Sequence, residues 1–541
     1  MSRLELAVAL FLTGLLCPAG AGAADLYVAQ SAQGAADGTS CPSARDIAWL
    51  NANQAAPGDT AHLCGTFSSS LILSASGEAD RPIVILFEQD ARFSAPTWSG
   101  AWWGVAGAIQ VTGSSYLVID GGPNGLIEAT ESGSALQHVG STGVMLSGVS
   151  NVEVKNITFR GMYVRTDPAD VDAGGVGVYV SGGSNVDVHH VSVTDAASGV
   201  MFSFPGAQTT TGLAVHHGTF SRVNWGTGIG SGNDDAIADD VRVYANDISD
   251  LANWDEPATN AYHHNGFHGF AVHSGAKLTN LRVYGNTFHG DMGVYNTAWI
   301  FVEGTVEGVE VFNNLFVGTG NAPNDGAIAV GNARIYNNTI ALLTGGICVN
   351  AAKGADVLNN IMFQCGTAIG MHGIDASTRI DYNLYSGQGS NGWALVEEGT
   401  GTFLFFDGFA SWQAETGSDA HGKVADPAFV DPVQDFHLQP SSPAIDQGTD
   451  AAAGVVFADK DDVVRPQGAG FDIGAYETCS GSCADTPSGA TAESSGSGCS
   501  CRSRPGSSAG TPLAVLLWLA GMAQRRIRGA RRGRPRGGRT R

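Results

Sequence analysis

Between residues 116 and 425 one short alternation of apolar and polar positions recurs along the chain. It reads NVEVKNITF, NVDVHHVSV, GLAVHHGTF, DVRVYANDI, NLRVYGNTF, GVEVFNNLF, NARIYNNTI, ADVLNNIMF and TRIDYNLYS. Each copy has apolar residues two apart, then two polar or turn residues, then a further apolar pair. A period of two is that of a strand, whereas a helix face repeats every 3.6 residues. The last turn residue aligns at Asn156, His190, His217, Asn246, Asn286, Asn314, Asn338, Asn360 and Asn383, with spacings of 34, 27, 29, 40, 28, 24, 22 and 23. Asn tolerates the left-handed backbone region better than other non-glycine residues, and stacked Asn side chains hydrogen-bond along a ladder. A second strand recurs as GVYV, GVMF, GFAV, WIFV, AIAV, GICV and AIGM. Two strands around a fixed turn every two dozen residues predict the coils of a parallel β-helix, stacked about 4.8 Å apart into a rod of roughly 40 Å. A β-sandwich also has many short strands, but it does not keep one turn residue in register across nine units.

With this pattern, the body resembles the right-handed parallel β-helix proteins of the pectate-lyase-like superfamily. Its first segment, DLYVAQSAQGAADGTSCPSARDIAWLNANQAAPGDTAHLCGTF, holds the A-x-P-G-D-T turn that leads into their first coils. YLVIDGG at Tyr116–Gly122 resembles an early coil, and DPAFVDPVQDFHLQPSSPAIDQGTD followed by DKDDVVRPQGAGFDIGAYE resembles their closing segment. The resemblance spans Asp25 to Glu477. It implies an all-β solenoid with an N-terminal cap and a C-terminal closing segment. It leaves function open, because the fold carries lyases, hydrolases, epimerases and non-catalytic adhesins.

The ends read differently. Residues 1–24 have a basic Arg3, an apolar run and small residues near Ala24, as in a secretory signal. The expected layout is then 25–115 for the cap and first coils, 116–425 for the β-helix and 426–478 for the closing segment. A Ser/Gly-rich linker follows at 479–511, and 512–541 holds a short apolar run and nine arginines from Arg525 onward. Cys499 and Cys501, the apolar run and the Arg-rich tail together resemble the MYXO-CTERM sorting signal of myxobacterial surface proteins. That resemblance implies export and anchoring at the cell surface through one of these cysteines. In an exported chain Cys41 with Cys64, Cys348 with Cys365 and Cys479 with Cys483 are candidate disulfides.

Charge narrows the partners. Residues 25–478 carry 16 basic and 48 acidic side chains, a net charge near −32. Such a surface repels nucleic acid, and it repels polyanionic glycans unless divalent cations bridge them. A neutral glycan or a calcium-bridged one fits, and a monomer is expected.

The longest spacing, Asn246 to Asn286, contains DISDLANWDEPATNAYHHNGFHGFAVHSG and four of the fourteen histidines. The 34-residue spacing contains GMYVRTDPADVDAGG. Insertions in a solenoid lie on its surface and often form the binding face. YHHNGFHGF resembles the His-x-Asp-Gly-φ-His pattern at the start of a strand in β-helix glycan enzymes, with Asn265 where Asp is usual. For lyase or epimerase chemistry a base must take a proton beside a neutralised carboxylate, and His264 and His268 are the candidate bases. Lys277 is the one nearby cation outside the repeated strand theme that holds Arg242 and Arg282. Hydrolysis would instead use two carboxylates, for which Asp234, Asp235, Asp255 and Glu256 are candidates. Trp254, Tyr262, His263, Asn265, His273 and Trp299 are candidate substrate contacts. Asp234, Asp235, Asp239 and Asp240 in SGNDDAIADD supply oxygen for a candidate calcium site. A helical zinc-protease reading of His264 and His268 fails, because HNGFH is poor in helix formers and lacks the Glu. Arg465 among Asp459, Asp461, Asp462 and Asp472 reads as a structural tie at the end of the rod, where a sheet edge needs cover. The function expected is action on a polysaccharide; the competing reading is a non-catalytic glycan binder or adhesin.

Overall fold

We describe the chain from a computed structural model, which covers residues 23–98, 106–132, 139–166, 174–206, 209–255, 264–294, 296–319, 326–389, 391–397 and 400–479. The alternation is realised as stacked parallel strands. Leu26, Ala61, Ile85, Ile119, Val154, Val188, Val215, Val243, Val283, Val311, Ile335, Val357 and Ile380 are register partners in turn. These thirteen rungs form sheet 1. Sheet 2 lies beyond the turn, where Phe159, Val193, Phe220, Ile248, Phe288, Phe316, Ile340, Met362 and Tyr385 are partners. Sheet 3 carries Ile109, Val144, Val178, Val200, Thr227, Phe267, Ile300, Ile328, Val349, Ile369 and Trp393. The chain is a parallel β-helix. Its interior is one continuous apolar cluster running from Val28 to Trp412.

The nine copies of the turn pattern undercount the rungs by four, because the coils through Ile119 turn without the Asn. The turn residue itself divides into two kinds. Asn156, His190 and His217 adopt positive φ (59, 51 and 51°), as expected. From Asn246 onward the preceding residue takes that role: Ala245, Asn313, Asn337, Asn359 and Tyr382 have positive φ, as does Gly285. The aligned Asn then turns inward. Asn246, Asn286, Asn314, Asn338 and Asn360 each donate their backbone N–H to the Oδ1 of the next Asn at 3.0 Å. Their Nδ2 groups donate to the same oxygens at 3.0 to 3.1 Å. Asn383 ends the row and donates to Asp419 Oδ1 at 3.2 Å.

Both ends of the rod are covered. The helix Ile47–Asn51 is capped by Asp46, which accepts from Trp49 N, and it buries Ile47 and Leu50 on the first coil. At the other end the helix Phe409–Thr416 buries Trp412. The disulfides Cys41–Cys64 and Cys348–Cys365 are both present. Cys479 is disulfide-bonded; Cys483, its expected partner, lies outside the described residues, as do Cys499 and Cys501.

The closing segment corrects one expectation. Arg465 does pair with Glu477, at 2.8 Å with both side chains 0% exposed. The tie sits along the flank of the rod, however, and not at its end. Asn313, Asn337 and Asn359 donate to the carbonyls of Ala458, Asp472 and Thr449. Lys460 Nζ donates to Gly285 O. The Nδ2 donors of the turn amides left over by the ladder are thus met by the segment that folds back over them.

Candidate functional site: two histidine–carboxylate pairs at the long insertions

The two outsized spacings meet in space. Arg165, from the 34-residue spacing, donates from Nη1 to Trp254 O at 2.7 Å, and its guanidinium lies 5.4 Å from the Trp254 ring centroid. Tyr163 packs on the same indole at 5.6 Å. Trp254 is 0% exposed, so it is a packing anchor between insertions and presents no face to a sugar.

Beside this anchor stands the first pair. His264 is fully buried; its Nε2 is 2.9 Å from Asp255 Oδ1 and its Nδ1 meets the Asn224 amide at 2.8 Å. Asp255 also accepts from Val294 N, at 3.1 and 3.0 Å to its two oxygens. Burial pushes the His264 pKa down, and the Asp255 carboxylate opposes it. The contacts to Asn224 and Val294 tie this coil to the ones on either side of it. His264 therefore holds the insertion in place, and its expected role as a base is not supported by its position.

The strand Asn265–Ala271 then enters sheet 3. Asn265 is buried and donates Nδ2 to Ala298 O at 2.8 Å and to Thr297 Oγ1 at 3.1 Å. Its Nδ2 donors face the next coil. A carboxylate could not donate there, which explains Asn in place of Asp. Gly266 follows because a Cβ would stand 2.5 Å from the Phe288 ring. Trp299 is also wholly buried, against Phe288 at 5.8 Å, and belongs to the core rather than to a substrate face.

His268 forms the second pair, on the outer face of sheet 3. Its register partners are Gly228 on one side and Phe301 on the other. Its Nε2 lies 3.3 Å from Glu303 Oε1. Trp225, Phe270 and Phe301 surround the ring at 4.9, 4.8 and 5.1 Å between centroids. Burial pushes the His268 pKa down against the pull of Glu303. A neutral imidazole donates Nε2–H to the carboxylate and orients it. His268 is 3% exposed, whereas the Glu303 side chain is 23% exposed. The member of the pair that solvent and ligand can reach is Glu303.

The remaining candidates do not converge on this pair. Lys277 opens the neighbouring strand of sheet 1, half-exposed and 3.7 Å from Glu307. His273 lies in the turn after the site strand, 3.7 Å from Asp234. The four aspartates are spent on turns and ladders. Asp234 accepts from Ser274 N, and Asp239 from Thr279 Oγ1 and Asn280 Nδ2. Asp235 and Asp240 hold positive φ, and Asp240 lies 3.7 Å from Arg242. Among the described residues no three His, Cys, Asp or Glu groups are placed to hold a metal ion. Glu256, Tyr262 and His263 lie outside the described residues.

Sequence reading missed Glu303 and Arg165. Arg165 had a signal, since it stands in the second-longest spacing. Glu303 had a weaker one: WIFVEG stacked on FHGFAV places it beside Phe270.

No protein-family model matches the chain, and no curated protein matches it. Solved structures do. XylC in complex with xylose is 10% identical with a TM-score of 0.50, over 84% of this chain and 98% of that one. Pectate lyase Pel9A is 13% identical with a TM-score of 0.42, over 84% and 97% of the two chains. An alginate lyase from Paenibacillus sp. str. FPU-7 is 17% identical with a TM-score of 0.34, over 68% and 98%. At these identities what is shared is the fold.

Proposed function

We propose that this protein is a polysaccharide-acting enzyme whose chemistry is proton transfer on a glycan, of the lyase or epimerase kind. Glu303 is the group that exchanges the proton and His268 orients it. The observation that carries the reading is the Glu303–His268 pair: a partly exposed carboxylate, backed by a buried neutral imidazole in an aromatic box, on the outer face of a sheet where the chain leaves its longest insertion. A carboxylate oriented by the His268 N–H can take a proton as a general base, and the low-polarity box strengthens that contact. Polysaccharide-acting proteins among the fold neighbours support the substrate class. Export to the cell surface, inferred from the two chain ends, would bring the protein to such polymers.

The purified chain is to be incubated with a panel of uronate and neutral glycans, with and without calcium. Unsaturated, ultraviolet-absorbing ends, or an inverted sugar centre, are the expected products. Retention of a glycan without any product would replace the enzyme by a binder.

A further inference from the structure

Four histidines outside this site stand in a two-by-two array on the turn corner of sheet 1. His189 and His216 are strand-end residues in register on adjacent coils, with rings stacked at 4.7 Å and 1°. His190 and His217 are the turn residues that follow, stacked at 5.0 Å and 2° and exposed. Within each coil the two Nδ1 atoms face each other at 2.7 Å, His189 with His190 and His216 with His217.

The inner imidazoles are backed by carboxylates one coil earlier. His189 Nε2 is 2.9 Å from Glu153 Oε1, and His216 Nε2 is 3.1 Å from Asp187 Oδ1. A carboxylate at Nε2 fixes the proton there and leaves the lone pair on Nδ1, aimed at the neighbouring ring. The same carboxylate–imidazole arrangement orients and strengthens histidines that ligate metals. Stacking alone does not require it: one coil further on, Tyr244 continues the row over His216 at 4.5 Å with Ala245 at the turn.

We propose that the His189–His190 and His216–His217 pairs each chelate a divalent transition-metal ion, copper(II) foremost, through their two Nδ1 atoms, with water completing the coordination. Two nitrogens bound at about 2.0–2.1 Å and at right angles are about 2.9 Å apart. The observed 2.7 Å is close to that bite and shorter than a tetrahedral site needs. Tetragonal nitrogen and oxygen coordination belongs to copper(II) and nickel(II), and copper(II) binds more tightly. The proton that lies between the two facing Nδ1 atoms moves to Nε2 of the outer ring, so both rings stay neutral ligands and a neutral pair binds the ion without net proton release. Two nitrogens suffice for such a chelate, and no third side chain is asked for.

The test uses the full chain without a polyhistidine tag, titrated with copper(II) by calorimetry and followed by electron paramagnetic resonance. The control is His190→Asn with His217→Asn. Asn occupies the same turn position at Asn156, with φ of 59°, so the variant keeps the fold. The wild type is expected to show nitrogen splitting from two ring nitrogens per ion and at least tenfold tighter binding than the variant, with superimposable unfolding curves. Equal affinity in the two proteins, or a spectrum with oxygen ligands only, overturns the proposal.

Discussion

At the scale of single residues, the chemistry at the long insertion turns on which groups can donate and which can only accept. Asn265 donates to Ala298 O from a fully buried position. An Asp there, as in the motif the segment resembles, would set a carboxylate against a carbonyl. Asn265→Asp is expected to lower stability by about 2–4 kcal/mol at neutral pH, read from chemical unfolding. A variant of unchanged stability and raised activity would show that residue 265 is a ligand position after all. The sequence flagged this stretch through its histidines, and two of them do stand in carboxylate pairs. It could not divide their labour, because the difference between His264 and His268 lies in what surrounds each. His264 is closed in by Asp255, Asn224 and Arg165, while His268 stands behind a carboxylate that reaches solvent.

At the scale of elements, the Asn row holds the coils together. Removing the Asn314 amide strands the Asn286 backbone N–H and takes one partner each from Asn286 Nδ2, Asn338 Oδ1 and Val283 O. Asn314→Ala is therefore expected to cost about 3–5 kcal/mol, several times a single exposed hydrogen bond, measured by urea unfolding. The row ends on a group that titrates. Asp419 accepts from Asn383 Nδ2 and, at 2.6 Å, from Tyr385 O–H. Burial raises its pKa to about 6, against the pull of these donors. The folded state thus holds the Asp419 proton more tightly than the unfolded chain does. Its contribution is fully present below about pH 4, falls as pH rises to about 6 and is absent above. That loss is on the order of 3 kcal/mol. Asp419→Asn is expected to flatten this part of the pH–stability curve, and an unchanged slope between pH 4 and 6 would refute the assignment. The pattern of apolar positions made the coils legible. It did not show that the left-handed residue shifts by one after His217, because both arrangements use the same letters at the turn.

At the scale of the whole molecule, a thirteen-rung sheet with stacked turns makes a rigid support about 58 Å long at the usual strand spacing. On it the two outsized spacings come together through Arg165 and Trp254, although these residues are 89 positions apart. Their lengths in the sequence drew attention to this part of the rod, because a regular solenoid repeats coils of nearly constant length. Glu303 was hidden by the opposite effect: it stands in a coil of ordinary length and gains its role only from register with the coil before. The closing segment was readable as a tie but not as a strap along the flank, since nothing in its own residues names the turn amides it covers.

The central claim is that the Glu303–His268 pair acts on a glycan. It is tested most directly by comparing the wild type with Glu303→Gln on the polysaccharide panel, at equal folded concentration verified by unfolding. The account expects product from the wild type on at least one glycan and a loss of turnover of at least a hundredfold in the variant, with glycan retention kept. Equal turnover in the two proteins, or no product from either, would contradict it.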